Sequence, residues 1–256
     1  IWAFKRKRCP DGSLLKHKAR LNAHGGMQIY GDTYWDTYAL VVNWMSVRLM
    51  LIFSKIHKLH TRSIDFTLAF PQADVKVDIY MELPLGCSPS NGADKNKFVL
   101  KLVKNLYGLK DAGKTWFEHL KQGLESLGFE SSSVDPCIFY KRNCVMLIYV
   151  DDCLIFADRS ETADKLINDL LESYSLTDEG ELGVEGETVS SYLGVKVTYN
   201  KETGRILLTH PFLIKRILTL LGSAVTDANI KQTPAEYKSI LHKDQDGPLR
   251  KQDWNY

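Results

Sequence analysis

Cysteine is scarce in this chain and shows no pairing pattern. The five residues, Cys9, Cys87, Cys137, Cys144 and Cys153, are odd in number and include no C-x-x-C pair. That argues against a disulfide scaffold and a zinc cluster, and it suits a reducing compartment. His57 and His60 have a spacing a metal could bridge, but no Cys or second His pair accompanies them. Long apolar runs are missing as well. A stretch such as Leu49 to Phe53 is far too short to span a membrane, and no signal peptide is visible. A large net charge is also absent: +2 over 256 residues argues neither for nor against nucleic acid. There is no internal repeat and no low-complexity segment. Composition is that of an ordinary globular protein, one large domain or two modest ones. The chain opens on Ile1 rather than Met, as expected of a piece of a longer polypeptide.

What charge there is lies unevenly. Lys5, Arg6, Lys7, Arg8, Lys16, Lys18 and Arg20 crowd the first segment against a single Asp11, whereas residues 161–187 are acidic. Such asymmetry marks a polyanion-binding end, or simply a solvated surface. Residues 1–7 and 14–21 read as two strands joined by the turn Pro10-Asp11-Gly12-Ser13, a basic hairpin.

The densest chemical signal is Tyr149-Val150-Asp151-Asp152, set between the apolar runs 145–148 and 153–156. Both runs read as buried strands. Two adjacent carboxylates at the turn between them repel, and one would take up a proton unless a cation sat there. A strand–Asp-Asp–strand hairpin therefore suggests a platform for divalent metal. Successive side chains on a strand point to opposite faces, so the pair alone cannot complete a cage. A third carboxylate at a neighbouring strand end is required. Asp65, closing the strand-like segment 62–66, is the best candidate; Asp74, Asp78 and Asp158 compete from loop or strand-exit positions.

Around these segments the spacing predicts a helix over 46–59 with Ser46 as N-cap, and a loop over 84–96. A strand over 98–102 and a helix over 112–127 follow, the latter burying Trp116, Phe117, Leu120, Leu124 and Leu127. Ser160 caps a helix, and residues 178–188 read as an acidic loop. Segment 192–199 reads as one strand, paired through Thr203-Gly204 with 205–209. Pro211 opens a helix that Gly222 closes, and the tail from Thr226 reads as loop. Hairpins without strict alternation favour α+β over a doubly wound sheet.

Six blocks then occur in register: Ser63-Ile64-Asp65-Phe66-Thr67-Leu68-Ala69-Phe70, Ile79-Tyr80-Met81-Glu82-Leu83-Pro84, Lys104-Asn105-Leu106-Tyr107-Gly108-Leu109-Lys110, Asp135-Pro136-Cys137, Tyr149-Val150-Asp151-Asp152 and Tyr192-Leu193-Gly194-Val195. With Trp2-Ala3-Phe4-Lys5 and Lys18-Ala19-Arg20-Leu21 they make nearly the whole chain resemble copia-type LTR-retrotransposon reverse transcriptases.

The resemblance implies a single right-hand polymerase domain over 1–256. Fingers would span about 1–44 and 72–110. The palm, an antiparallel sheet packed on helices, would span about 45–71 and 111–200, and a primer grip with the start of a thumb about 192–256. It implies RNA-directed DNA polymerisation, with Asp65, Asp151 and Asp152 holding two Mg²⁺ ions that Mn²⁺ could replace. Lys18 and Arg20 would clamp the triphosphate, and Tyr107 and Gly108 would lie near the incoming sugar and the template. Phe70 would exclude a ribose 2′-hydroxyl, and Tyr192, Leu193 and Gly194 would grip the primer. Partners would be template–primer, deoxynucleoside triphosphates and the integrase and RNase H modules of a polyprotein, in a cytoplasmic virus-like particle with a nuclear phase.

The alternatives are a catalytically decayed, nucleic-acid-binding remnant of the same element and another two-metal palm enzyme such as a nucleotidyl cyclase. The latter leaves the basic hairpin and the grip-like strand pair unexplained. Three positions depart from the family pattern: Leu68 replaces a usual Asn, Gly113 a usual Pro, and Asn22 an apolar residue. None removes a metal ligand.

Overall fold

The computed structural model describes residues 1–8, 14–89, 94–182, 191–199 and 205–222. The expected turns at Pro10–Ser13 and Thr203-Gly204, Cys9, residues 183–188 and the tail from Thr226 lie outside them. Two compact units divide the chain, residues 1–209 and 210–256.

The strands are β1 (Trp2–Arg8), β2 (Leu14–Leu21), β3 (His60–Phe66), β4 (Tyr80–Glu82), β5 (Val99–Lys101), β6 (Glu130–Ser131), β7 (Ile138–Lys141), β8 (Cys144–Tyr149), β9 (Asp152–Ala157), β10 (Leu176–Glu181), β11 (Ser191–Tyr192), β12 (Val195–Tyr199) and β13 (Ile206–Thr209). The helices are α1 (Trp44–Ile56), α2 (Ala69–Gln72), α3 (Ala112–Ser126), α4 (Ser160–Leu171) and α5 (Pro211–Leu221). The arrangement is mixed α+β.

In the first unit a six-stranded antiparallel sheet in the order β10-β3-β9-β8-β7-β6 forms the centre. Every residue from Cys153 to Ala157 in β9 is buried, so this strand is covered on both faces. Val47 and Leu51 of α1, Trp116, Leu120 and Leu124 of α3, and Leu166, Ile167 and Leu170 of α4 join that strand in one apolar core. Their spacing of three and four residues explains why these segments are helical: each presents one apolar stripe. A second, smaller core gathers Ile79, Leu102, Leu109 and Ala112, and Phe70 packs against both. In the second unit α5 starts with Pro211 in its first turn, as expected, and stops at Gly222.

Several boundaries differ from the expectation. Helix α1 begins at Trp44, and Asn43 caps it by accepting a 2.8 Å bond from the Met45 amide. Ser46 instead donates 2.7 Å to Asp135 Oδ2, which also accepts from the Asn43 amide. Buried Asp135 thus offers the hydroxyl a charged acceptor that sequence spacing does not reveal. Ser160 is the first residue of α4 rather than its cap, with no side-chain cap bond at Arg159. Residues 176–181 form a strand, not a loop, because backbone pairing with β3 outweighs a polar sequence. Segment 192–199 is split by a turn at Leu193-Gly194 into β11 and β12.

Leu68, at the entry to α2, stands in the left-handed region at φ 52°. Leu pays a steric cost there that Asn avoids through its short polar side chain. Leu68 is 53% exposed, so its replacement opens no core cavity. Leu68→Asn is expected to stabilise the protein by roughly 0.5–1 kcal/mol, read from urea denaturation midpoints. An unchanged or lower midpoint would mean that this backbone carries no strain.

Candidate active site

The site is built by strand register. In the β3–β9 pair Asp65 lies directly opposite Asp152, and in the β8–β9 hairpin Tyr149 closes on Asp152 across the loop Val150-Asp151. The Phe66 amide donates 2.8 Å to the Asp151 carbonyl, tying the end of β3 to that loop. Three carboxylates distant in sequence therefore share one end of the sheet, each half-buried. Val150 has φ 58°, the left-handed region, which is rare for a β-branched residue.

Burial pushes the Asp152 carboxyl up to about 6, and the negative charges of Asp151, Asp65 and Glu179 add to the rise. Sequence reasoning missed Glu179, because residues 178–188 read as loop. It occupies the irregularity between Asp178 and Gly180 in β10, and Ser63 Oγ donates to its Oε2 at 3.2 Å. A run of Thr, Asp, Glu and Gly carries no apolar alternation that could have signalled a strand.

The competing acids are engaged elsewhere. Asp74 pairs with Lys104 and Asp78 with Lys101, each at 2.7 Å, and Asp158 accepts from Thr162 Oγ1 at 2.8 Å. His57 stacks on Phe53, and His60 starts β3 opposite Ala157. Among the described residues no three His, Cys, Asp or Glu side chains make a ready-made metal cage. The all-oxygen donor set at 65, 151 and 152 nevertheless suits a hard divalent cation that takes few protein ligands and fills its shell with water and phosphate. Such a cation would offset the neighbouring negative charges that add to the effect of burial on Asp152.

Beside the carboxylates runs a stack. The Arg20 guanidinium sits 4.5 Å over the Tyr107 ring, and the Phe70 ring lies 4.8 Å from Tyr107, tilted by 44°. Burial raises the Tyr107 phenol; Arg20 opposes the rise, and Asp151 and Asp65 add to it. Arg20 Nε is buried without a hydrogen-bond partner. In the β1–β2 register Lys5 faces Lys18 and Ala3 faces Arg20, so Lys5 shares a face with both cations. The sequence alone left open which of Lys5, Arg6 and Lys7 joins that face. Like charges directly opposite repel, which suits an anion held between them.

Gly108 has φ 95°, and a Cβ there would meet the Ala23 carbonyl oxygen at 2.2 Å. Its neighbour Tyr107 accepts 2.8 Å from the Ala23 amide, so the segment just after β2 and the Tyr107-Gly108 turn meet backbone to backbone.

The expected grip residues divide. Tyr192 is 2% exposed, with its ring edge-on to Trp44 and its hydroxyl unpartnered. Leu193 and Gly194 form the turn, at φ 53° and 77°.

Residues 1–237 match the reverse transcriptase (RNA-dependent DNA polymerase) family. The chain belongs to that family. The reverse transcriptase domain is 31% identical to the Retrovirus-related Pol polyprotein from transposon TNT 1-94 of Nicotiana tabacum, over 85% of this chain and 16% of that protein. It is 30% identical to the Retrovirus-related Pol polyprotein from transposon RE1 of Arabidopsis thaliana, over 94% of this chain and 17% of that protein. The domain thus spans about a sixth of the length of these relatives. A structure of apo telomerase from Candida Tropicalis is similar at a TM-score of 0.36 and 9% identity, covering 67% of this chain and 41% of that one, too loosely to carry an argument. No helix among the described residues is long and apolar enough to cross a membrane.

The raised Asp152 makes stability depend on pH. In the reverse transcriptase domain the folded state holds this proton more tightly than the unfolded state, whose value is near 3.8. The metal-free fold therefore loses stability as pH rises from the unfolded value through about 6. Asp152→Asn should remove that loss. In EDTA at pH 8 the variant should be more stable than the wild type by about 1–2 kcal/mol, after discounting for solvent screening. The gap should narrow by pH 4.5. Urea denaturation at both pH values decides it, and a gap that widens on acidification would contradict the assignment.

Proposed function

We propose that this domain is an active RNA-directed DNA polymerase that adds deoxynucleotides to a primer 3′ end. The observation that carries the reading is the pairing of Asp65 with Asp152, with Asp151 at the adjoining loop. Asp65 and Asp151 hold two divalent cations, Mg²⁺ or Mn²⁺, and Asp152 is the less direct ligand. When bound, the cations supply Lewis-acid polarisation of the α-phosphate and lower the pKa of the primer 3′-hydroxyl.

The chain's own residues do the positioning. Lys18 and Arg20 bind the triphosphate, with the planar fork of Arg suited to phosphate oxygens. Tyr107 holds the Arg20 guanidinium by its ring face. Phe70, packed against Tyr107, forms the floor beneath the incoming sugar and excludes a 2′-hydroxyl. Gly108 lies near that sugar, and its missing side chain leaves room for the Ala23 carbonyl. Leu193 and Gly194 grip the primer, with buried Tyr192 anchoring their turn. In these terms the fingers are residues 1–44 and 72–110, the palm 45–71 and 111–200, and the grip with the start of a thumb 192–256. The template–primer is bound mainly through phosphates, so affinity falls steeply with salt. Integrase and RNase H modules of the same polyprotein accompany the domain in a cytoplasmic particle with a nuclear phase.

Primer extension on an RNA template, with and without Mg²⁺, tests the reading. A decayed remnant would bind the template without extending it. Asp151→Asn should lower extension at least roughly 10²-fold while leaving the circular-dichroism melt intact. Wild-type extension by that variant would remove Asp151 from the chemistry. Phe70→Ala should raise ribonucleotide incorporation relative to deoxynucleotide, measured as the ratio of kcat/KM values. An unchanged ratio would take the gate away from Phe70.

A further inference from the structure

The helical spacing of α3 marks Trp116 as a core residue, and it is indeed fully buried. Its indole does more than fill space. Trp116 Nε1–H donates 2.7 Å to the Val150 carbonyl oxygen. Val150 is the residue at φ 58° that immediately precedes Asp151. A left-handed backbone at a β-branched residue persists only where its surroundings over-determine it. The hydrophobic Val150 side chain offers no hydrogen bond of its own to hold that geometry, and the indole N–H supplies one from outside the hairpin.

The same ring also touches the other arm of the site. Trp116 packs edge to face on Phe66, with centroids 5.2 Å apart, and Phe66 directly follows Asp65. The Phe66 amide in turn donates to the Asp151 carbonyl. Tyr174 closes the group, edge-on to both Phe66 and Trp116. One rigid side chain on α3 therefore bears on both strand ends that carry the carboxylates.

We propose that Trp116 is a positioning residue for the polymerase site, setting the Val150-Asp151 turn against Asp65 through its N–H. This rests on the polymerase reading above. The ring holds no reacting atom and acts through the backbone of its neighbours. Placement matters because a shift of about 1 Å at a reacting group can cost roughly 10²-fold in rate.

Two substitutions separate the hydrogen bond from the packing. Trp116→Phe keeps much of the ring volume and removes the donor. Trp116→His loses the benzo ring, but its imidazole overlays the pyrrole half of indole and can keep a donor at the Nε1 position. Primer extension is measured below the melting temperature of both. Trp116→Phe is expected to lose roughly tenfold or more in kcat, with KM for the deoxynucleotide within about twofold. Trp116→His should retain the higher kcat despite the lower melting temperature. In parallel, amide hydrogen exchange should show Phe66 N–H losing protection in the Phe variant while β7 amides keep theirs. Activity that tracks melting temperature, with Phe better than His, would overturn the proposal, as would an unchanged Phe66 amide. Should the wild-type chain extend no primer, the polymerase reading falls, and the Phe66 amide alone judges whether Trp116 holds the turn.

Discussion

Antiparallel pairing of β3 with β9 is the constraint on which the rest of this molecule depends. It places Asp65 opposite Asp152, an arrangement electrostatics opposes. Apolar burial holds it in place. Ile64 is paired with Cys153 and Ser63 with Leu154, and the sheet around them is sealed by residues of α1, α3 and α4. A slip of one residue would turn every side chain of β3 to the other face and separate the carboxylates. Register is thus set in the core, and the acidic end follows.

Several exceptions to good local chemistry lie close to that end, although Lys58, at φ 53°, precedes the opposite end of β3. Val150 and Leu68 carry positive φ on either arm of the site, and Leu193 does so in the neighbouring turn. Asp152 is held with its proton bound more tightly than an ordinary carboxyl. Arg20 Nε and the Tyr192 hydroxyl are buried without partners. Such local costs are tolerated where a fold must hold groups in place for a ligand, and stability comes from elsewhere in the core. Phe70 adds a link: it packs against both apolar cores and touches Tyr107, so the basic hairpin, the stack and the sheet are in mechanical contact.

The four longer helices and the central hairpin could be read from the chain because their signals are local, whereas the single turn of α2 could not. Trp116, Leu120 and Leu124 recur at helical spacing, and two apolar runs flank Asp151-Asp152, so α3 and the β8–β9 hairpin follow from periodicity alone. Elements held by distant partners could not be read in this way. Strand β10 exists because β3 offers it a backbone, and the Ser46 hydroxyl is drawn to Asp135, a residue far along the chain, while Asn43 caps α1.

The same division runs through the site. Residue type and order determined the candidates: two adjacent carboxylates at a turn, a third at a strand end, an aromatic five positions on, and cations in an N-terminal hairpin. Tertiary structure alone decided which acid stands opposite Asp152, that Glu179 adds to its charge, that Lys5 shares the face of Lys18 and Arg20, and that an indole from α3 holds Val150. Hydrophobic periodicity is written along the chain and survives translation into local structure. Electrostatic fields and hydrogen bonds between distant residues depend on through-space distance, and only the folded register supplies that.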